Sequence, residues 1–239
     1  MSDTLVIIPT YNEKENIALI IEAVFNQPKD FHILVVDDNS PDGTAIIVRD
    51  LIHKYSGKLH LEVRDKKDGL GAAYIHGFKW ALNHNYQFII EMDADFSHNP
   101  DDLMKLYAEC ANNNADMSVG SRYLKGQINV VNWDIKRILL SYFASKYVRI
   151  LTGIPLKDTT AGFVCYKRKV LEKINLDEIQ FTGYAFQIEL KFKAWKKGFN
   201  IKEVSIIFTD RIRGKSKMNG SIISEAIFGV LKMRINASK

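Results

Sequence analysis

Short apolar runs alternate with longer stretches of helical apolar spacing from the start of the chain. Thr4 to Pro9 (TLVIIP) and His32 to Val36 (HILVV) are apolar at both alternating positions, as in strands buried on both faces of a parallel sheet. Gln87 to Met92 is a third such strand, Leu59 to Val63 a weaker one, and Met117 to Gly120 a short one. Between them lie helices. Glu13 to Asn26 carries Ile17, Ile20, Ile21, Val24 and Phe25 at helical spacing, and Gly43 to Tyr55 and about Leu70 to His84 follow. Asp101 to Asn113 has Asn99 as N-cap and Pro100 at its first position. Strand and helix recur at a pitch of about 30 residues, which predicts βαβ units and a mostly parallel central sheet flanked by helices. Past residue 120 the pattern loosens: a helix over Trp133 to Leu151, a strand Gly162 to Tyr166, a helix Tyr184 to Lys197, a strand Glu203 to Phe208 and a C-terminal helix. With no linker or repeat, the reading is one domain, 1–239, made of two functional halves, 1–123 and 124–239.

Composition narrows the class. A chain of 239 residues with 46% hydrophobic and 26% charged content is an ordinary globular protein with a sizeable core. The net charge of +5 comes without a dense Lys/Arg block, which argues against nucleic acid and suits anionic substrates or a membrane surface. Cys110 and Cys165 lie far apart, with no Cys-x-x-Cys, so they are expected to be free thiols in a reducing compartment. No signal peptide opens the chain and no run of 18 apolar residues crosses a bilayer, so a cytoplasmic location is expected.

The chemistry gathers where strands end. Asp93 and Asp95 leave the strand that begins at Phe88, and alternation along a strand can put both carboxylates on one side. Two carboxylates at a strand's C-terminal end offer hard oxygens for Mg²⁺ or Mn²⁺ bound together with phosphates. In open α/β sheets that edge is the ligand edge. Pro9-Thr10-Tyr11-Asn12-Glu13 leaves the first strand: Tyr11 can stack on a base and Glu13 can accept from base or ribose, although a plain turn capped by Thr10 or Asn12 reads equally well. Asp37 and Asp38 leave the second strand, ahead of a Pro41-Asp42-Gly43 turn, and offer a carboxylate to a nucleobase N–H. Gly69-x-Gly71 is not a dinucleotide fingerprint, because it does not follow the first strand and Tyr74 stands at the third glycine position; the glycines fit close packing beneath the site. Arg122, in Gly120-Ser-Arg122-Tyr123, brings a forked phosphate donor to another strand end, or else a surface ion pair. Asp210 to Lys217 (DRIRGKSK) is either a loop that closes over a diphosphate or a solvated charge run.

In this order the strings PTYNE, VVDDNSPDGT, GLGAAYIHG, MDADFSHNP, GSRY, NWDIKR, DTTAGF, GYAFQIEL and DRIRGKSK resemble the family-2 glycosyltransferases with the GT-A fold, more narrowly the dolichyl-phosphate (polyprenyl-phosphate) mannose synthases. The resemblance runs over almost the whole chain. It implies that Pro9, Tyr11, Glu13, Val36 and Asp38 hold the guanosine of GDP-mannose. Asp93 and Asp95, with Ala94 between them, would hold the metal and diphosphate. Arg122, Arg211 and Lys217 would bind phosphate or sugar, and Arg137 and Ser141 the lipid phosphate. Some members use Gln as a further metal ligand where Ser97, a weaker ligand, stands here. Many relatives carry C-terminal transmembrane helices, and this chain looks like the short type without them, a peripheral membrane protein served by its own surface or by a membrane-protein partner.

The implied chemistry is one inverting displacement by a polyprenyl phosphate. The phosphate's second pKa lies near 6, so it is already anionic at pH 7 and requires no general base. His98 then takes a turn role, and Gln187 and Glu189 either contact sugar or acceptor or are ordinary helix polarity. Asp134 to Leu151 mixes bulky apolar residues with Lys136, Arg137, Lys146 and Arg149, which suits a helix lying in a membrane interface or packed on the sheet. Two alternatives remain at this stage: a family-2 transferase using UDP-glucose or UDP-GlcNAc, and a non-catalytic sugar-nucleotide-binding subunit of a membrane complex.

Overall fold

The computed structural model describes residues 2–124, 126–183, 185–211, 213 and 229–235. A seven-stranded sheet runs in the order β3-β2-β1-β4-β7-β5-β8. Its strands are β1 (Thr4–Thr10), β2 (His32–Asp37), β3 (Leu59–Val63), β4 (Phe88–Glu91), β5 (Met117–Ser121), β7 (Val164–Lys167) and β8 (Ile201–Ser205). All neighbours pair in parallel except β7, which is antiparallel to both β4 and β5. The GT-A arrangement of a mostly parallel sheet between helices is therefore present, with one reversed strand at its centre.

Alternation along each strand builds two cores. Leu5, Ile7, Leu34 and Val36 face one side, packed under α3 (Leu70–Asn83), α5 (Ile135–Thr152), α6 (Arg168–Lys173) and α7 (Ala185–Lys196). Val6, Ile8, Ile33 and Val35 face the other, under α1 (Ile17–Phe25), α2 (Thr44–Lys54) and α4 (Leu103–Ala111). All eight side chains are fully buried, and each such burial contributes about 1.5–3 kcal/mol. This is why the strands read as unbroken apolar runs. Gly77 of α3 allows a close helix–sheet approach, since a Cβ there would stand 2.8 Å from Ile7 Cγ2.

Several elements differ from the sequence reading. α1 begins at Ile17 rather than Glu13, because residues 14–16 form a turn held by the Asp42 carboxylate, which accepts from the Lys14 amide. The Asp101 helix opens as a 3₁₀ turn, Pro100–Asp102, capped by Asn99, before α4. The strand read over Glu203 to Phe208 divides into β8 and β9 (Phe208–Thr209). β9 pairs in parallel with β6 (Val130–Val131), a small ribbon beside the main sheet. Short β6 and α6 carried too few residues for a periodic signal. Both cysteines are free, as expected, and both are buried.

Candidate active site

The carboxyl ends of β1, β2 and β4 meet at one edge, and three turns cross there. Asn12 and Asn39 adopt left-handed φ of 56° and 55°, a region Asn tolerates, and turn the chain after β1 and β2. Asp37 is fully buried and spends its carboxylate on this corner, accepting from Thr10 Oγ1 at 2.7 Å and from Ser40 N and Oγ at 2.8 and 2.6 Å. Asp38 turns the other way and pairs with Arg64 at 2.8 Å. Burial raises the Asp38 pKa, with Arg64 pulling against it. Of the two aspartates, Asp37 is structural and Asp38 lines the edge. Pro9 and Tyr11 are half-exposed there, with Lys67 Nζ 4.2 Å over the Tyr11 ring. Val36 is fully buried in the sheet, so only its backbone can meet a ligand.

After β4 the Asp-x-Asp segment forms a tight turn. Phe96 sits at φ 63°, a conformation that costs a non-glycine residue about 1–2 kcal/mol, and it swings Ser97 N onto Asp95 Oδ1 at 3.0 Å. His98 Nδ1 accepts from Asp93 N at 3.1 Å, while the imidazole stacks on Phe163 with centroids 4.7 Å apart. Burial drives the His98 pKa down to about 4, so the ring is neutral. The turn role expected of His98 is what it performs. Burial opposes the Asp95 carboxylate, yet the adjoining Ser97 and the Arg211 charge outweigh it and lower the pKa. Asp93 moves up, through the low-dielectric surroundings and then the Asp95 charge, although its side chain keeps 36% exposure.

Arg211 closes the group. Its Nη2 lies 2.5 Å from Asp95 Oδ2 and its Nη1 3.7 Å from Glu13 Oε1. The guanidinium is thus a cation already seated against the carboxylates. Ser97 Oγ is buried beside Asp95 without a hydrogen-bond partner among the described residues. No set of three or more His, Cys, Asp or Glu side chains that could hold a metal occurs among the described residues. The donors fit a hard divalent ion that takes phosphates and water as its other ligands, as Mg²⁺ does.

Arg122, at the end of β5, does not lie on the open face. It is buried, and its Nε and Nη2 reach Asp158 at 2.7 and 2.6 Å, with Thr160 Oγ1 2.8 Å from Nη2. The exposed ion pair considered from sequence is in fact a sealed one. Gln187 and Glu189 also point inward. Gln187 Nε2 donates to Glu91 at 2.7 Å, and Glu189 accepts from the amides of Gln180 and Phe181. Glu91, Gln187 and Lys191 form a buried network beneath the site, where Lys191 Nζ donates to Ala161 O at 2.6 Å. Burial pushes Glu91 up to about 8 and Lys191 down to about 8. Neither Glu91 nor Lys191 was singled out from sequence, though an acid inside an apolar strand is a signal that a partner must exist.

Arg137 stands on α5, whose N-cap Asp134 accepts from the Arg137 amide at 2.9 Å. Its guanidinium packs 4.2 Å over Trp133 and reaches Asp210 at 2.7 Å. Ser141 is half-exposed one turn further along, next to Tyr123. Lys217 lies outside the described residues. Along α5, Ile135, Leu139, Leu140, Tyr142, Phe143 and Ile150 are exposed, whereas Ile138 and Tyr147 are half-buried. Among the described residues no helix is long and apolar enough to cross a membrane.

The mostly parallel sheet with this carboxylate-and-guanidinium edge is the GT-A fold of glycosyltransferases. Residues 5–175 match the glycosyl transferase family 2, and the chain belongs to that family. It is 47% identical over 232 residues to the polyprenol monophosphomannose synthase of Mycolicibacterium smegmatis, covering 97% of this chain and 87% of that one. It is 41% identical to the undecaprenyl-phosphate mannosyltransferase of Micrococcus luteus, covering 98% and 94%. Among solved structures, the fold matches glucosyl-3-phosphoglycerate synthase of Mycobacterium tuberculosis, in complex with Mn²⁺, UDP-glucose and phosphoglyceric acid, with a TM-score of 0.70 at 16% identity over 97% of this chain and 79% of that one. It also matches a mannosyltransferase of Pyrobaculum calidifontis, in complex with GDP-mannose and Mn²⁺, with a TM-score of 0.59 at 18% identity over 90% and 58%. The protein is a glycosyltransferase.

Proposed function

We propose that the protein transfers mannose from GDP-mannose to a polyprenyl monophosphate at a membrane surface. The carrying observation is that Asp95, Arg211, Asp210 and Arg137 run in contact from the strand edge to the exposed α5. On this reading the donor site at the strand edge and the acceptor-phosphate site on α5 adjoin. The names of the relatives, a polyprenol monophosphomannose synthase and an undecaprenyl-phosphate mannosyltransferase, agree with an acceptor of that kind.

In this reading residues 1–123 hold the donor and 124–239 face the acceptor. Pro9, Tyr11, the Val36 backbone and Asp38 enclose guanosine, with Glu13 on ribose or base. Asp93 and Asp95, flanking Ala94, would hold a divalent ion through which the diphosphate is oriented, with Ser97 Oγ as a further oxygen. A bound Mg²⁺ or Mn²⁺ would neutralise charge on the departing diphosphate. Arg211, with Lys217, supplies further cations to that leaving group, where each well-placed stabiliser is worth about 3 kcal/mol. Arg137 and Ser141 receive the lipid phosphate, an anion at pH 7 that attacks the anomeric carbon from the opposite face and inverts it. Arg122, paired with Asp158, braces the end of β5 beneath the site, and Gln187, through Glu91, braces the strand that leads into Asp93. The exposed apolar residues of α5, with Lys136, Lys146 and Arg149 among them, lie in the headgroup region as a peripheral anchor, with or without a membrane-protein partner.

The test is incubation with labelled GDP-mannose, Mg²⁺ or Mn²⁺ and short polyprenyl phosphates, followed by organic extraction. Label must pass into the solvent from GDP-mannose and not from UDP-glucose or UDP-GlcNAc. Equal transfer from a UDP-sugar would replace the donor assignment, and no transfer from any donor would remove the catalytic reading.

A further inference from the structure

Asp210 and Arg211 are consecutive residues that touch the two halves of the site separately. They follow β9, which is tied to β6 by the strand pairing and by the Asp210 amide donating to Val131 O at 3.0 Å. Among the described residues the Asp210 carboxylate takes two donors. Oδ2 holds Arg137 Nη1 of α5 at 2.7 Å, and Oδ1 accepts from the Arg211 amide at 3.1 Å. Arg211 in turn fills the space between Asp95 and Glu13. A divalent cation on Asp95 would compete with the Arg211 guanidinium for that carboxylate. An acceptor phosphate and Asp210 both need Arg137, so they compete as well.

From this juxtaposition we infer that Asp210 is a positioning residue coupling the two halves: it seats Arg211 against the carboxylates and holds Arg137 back until a divalent cation fills the site. This rests on the proposed cation and acceptor sites. Because residues 210 and 211 share a backbone, displacing Arg211 from Asp95 disturbs the carboxylate that restrains Arg137. Cation binding and anion capture on α5 are then linked, each favouring the other. Without a cation the carboxylates are neutralised by Arg211 and the anion-binding arginine is occupied, so a polyprenyl phosphate is not captured ahead of the donor.

The sign of one measurement separates this coupling from plain electrostatics. Mn²⁺ binding to the full-length protein is titrated, without nucleotide, from the spin-resonance signal of free Mn²⁺. Removing the negative charge of Asp210 should weaken cation binding if only Coulomb attraction matters. If Asp210 seats the competitor, Asp210→Asn tightens Mn²⁺ by about fivefold or more, the lower end of ordinary coupling between sites. Arg137→Gln breaks the same pair from the other side and should also tighten Mn²⁺, well beyond Lys146→Gln, an exposed cation on the same helix that controls for charge. Unchanged or weaker Mn²⁺ binding by Asp210→Asn, with the variant folded by circular dichroism, overturns the proposal. So does an Arg137→Gln effect no larger than that of Lys146→Gln. In a second arm, farnesyl phosphate should bind the native protein more tightly with Mn²⁺ than without, and Asp210→Asn should lose that ratio; retention of the native ratio also overturns the coupling. If farnesyl phosphate binds neither protein while the Mn²⁺ results hold, the acceptor assignment falls and the coupling role of Asp210 stands.

Discussion

Arg122 and Asp158, 36 residues apart in sequence, meet through three hydrogen bonds of 2.6 to 3.0 Å, with side-chain exposures of only 9% and 0%. Burial alone would raise the Asp158 pKa, yet the Arg122 charge and hydrogen bonds outweigh it and the carboxylate stays ionised. Removing one partner strands a buried charge, at a cost of about 3–5 kcal/mol. Asp158→Ala should therefore lower the urea midpoint strongly, and a loss below about 1 kcal/mol would mean that the pair is open to solvent after all.

Asp95→Ala should abolish transfer and leave the fold intact, because the side chain serves the leaving diphosphate more than the core. The expected loss is on the order of a hundredfold in kcat, about 3 kcal/mol. Activity within about threefold of the native enzyme would take Asp95 out of the site.

Arg211→Ala should also lower turnover by about tenfold or more while the circular dichroism spectrum is unchanged, since the lost cation acts on the departing group. Lys217→Ala is expected to act in the same direction. Native turnover in both variants would return DRIRGKSK to a solvated charge run.

His98 gives a pH test. Its folded pKa of about 4 lies below the ordinary 6.5, so between these values the folded protein binds fewer protons than the unfolded chain. Stability is then intact above pH 6.5 and falls as pH drops toward 4, by on the order of 3 kcal/mol from this residue. Chemical denaturation of metal-free protein at several pH values should show the slope, and His98→Gln, which keeps an acceptor for the Asp93 amide, should flatten it. An identical slope in native protein and variant would assign acid sensitivity elsewhere.

The exposed face of α5 predicts membrane contact. Ile135, Leu139 and Phe143 are 69%, 48% and 56% exposed, so replacing them with Ser costs the core little. The triple variant should sediment poorly with anionic liposomes and lose transfer to long-chain acceptors, yet bind GDP-mannose normally. Native binding should weaken with added salt as the helix cations are screened. Equal sedimentation of native protein and variant would point to a membrane-protein partner.

Much of this was legible in the sequence because it is encoded locally. Unbroken apolar runs in TLVIIP and HILVV determined buried strands, Asn99-Pro100 determined a helix start, and Asp93 and Asp95 were placed at a strand end by the run before them. Strand direction was not legible, since a two-residue period reads the same both ways, and β7 turned out antiparallel. Partner choice was decided by tertiary structure alone. Arg122 was an apparent phosphate ligand until the fold set it against Asp158. Gln187 faced Glu91, 96 residues away, and Arg211 met Asp95 across 116 residues. Sequence pattern reports which face of an element is buried, because burial repeats along the chain. Which charge answers which depends on pairings between distant segments, and only the assembled sheet and the β6–β9 ribbon bring those segments together.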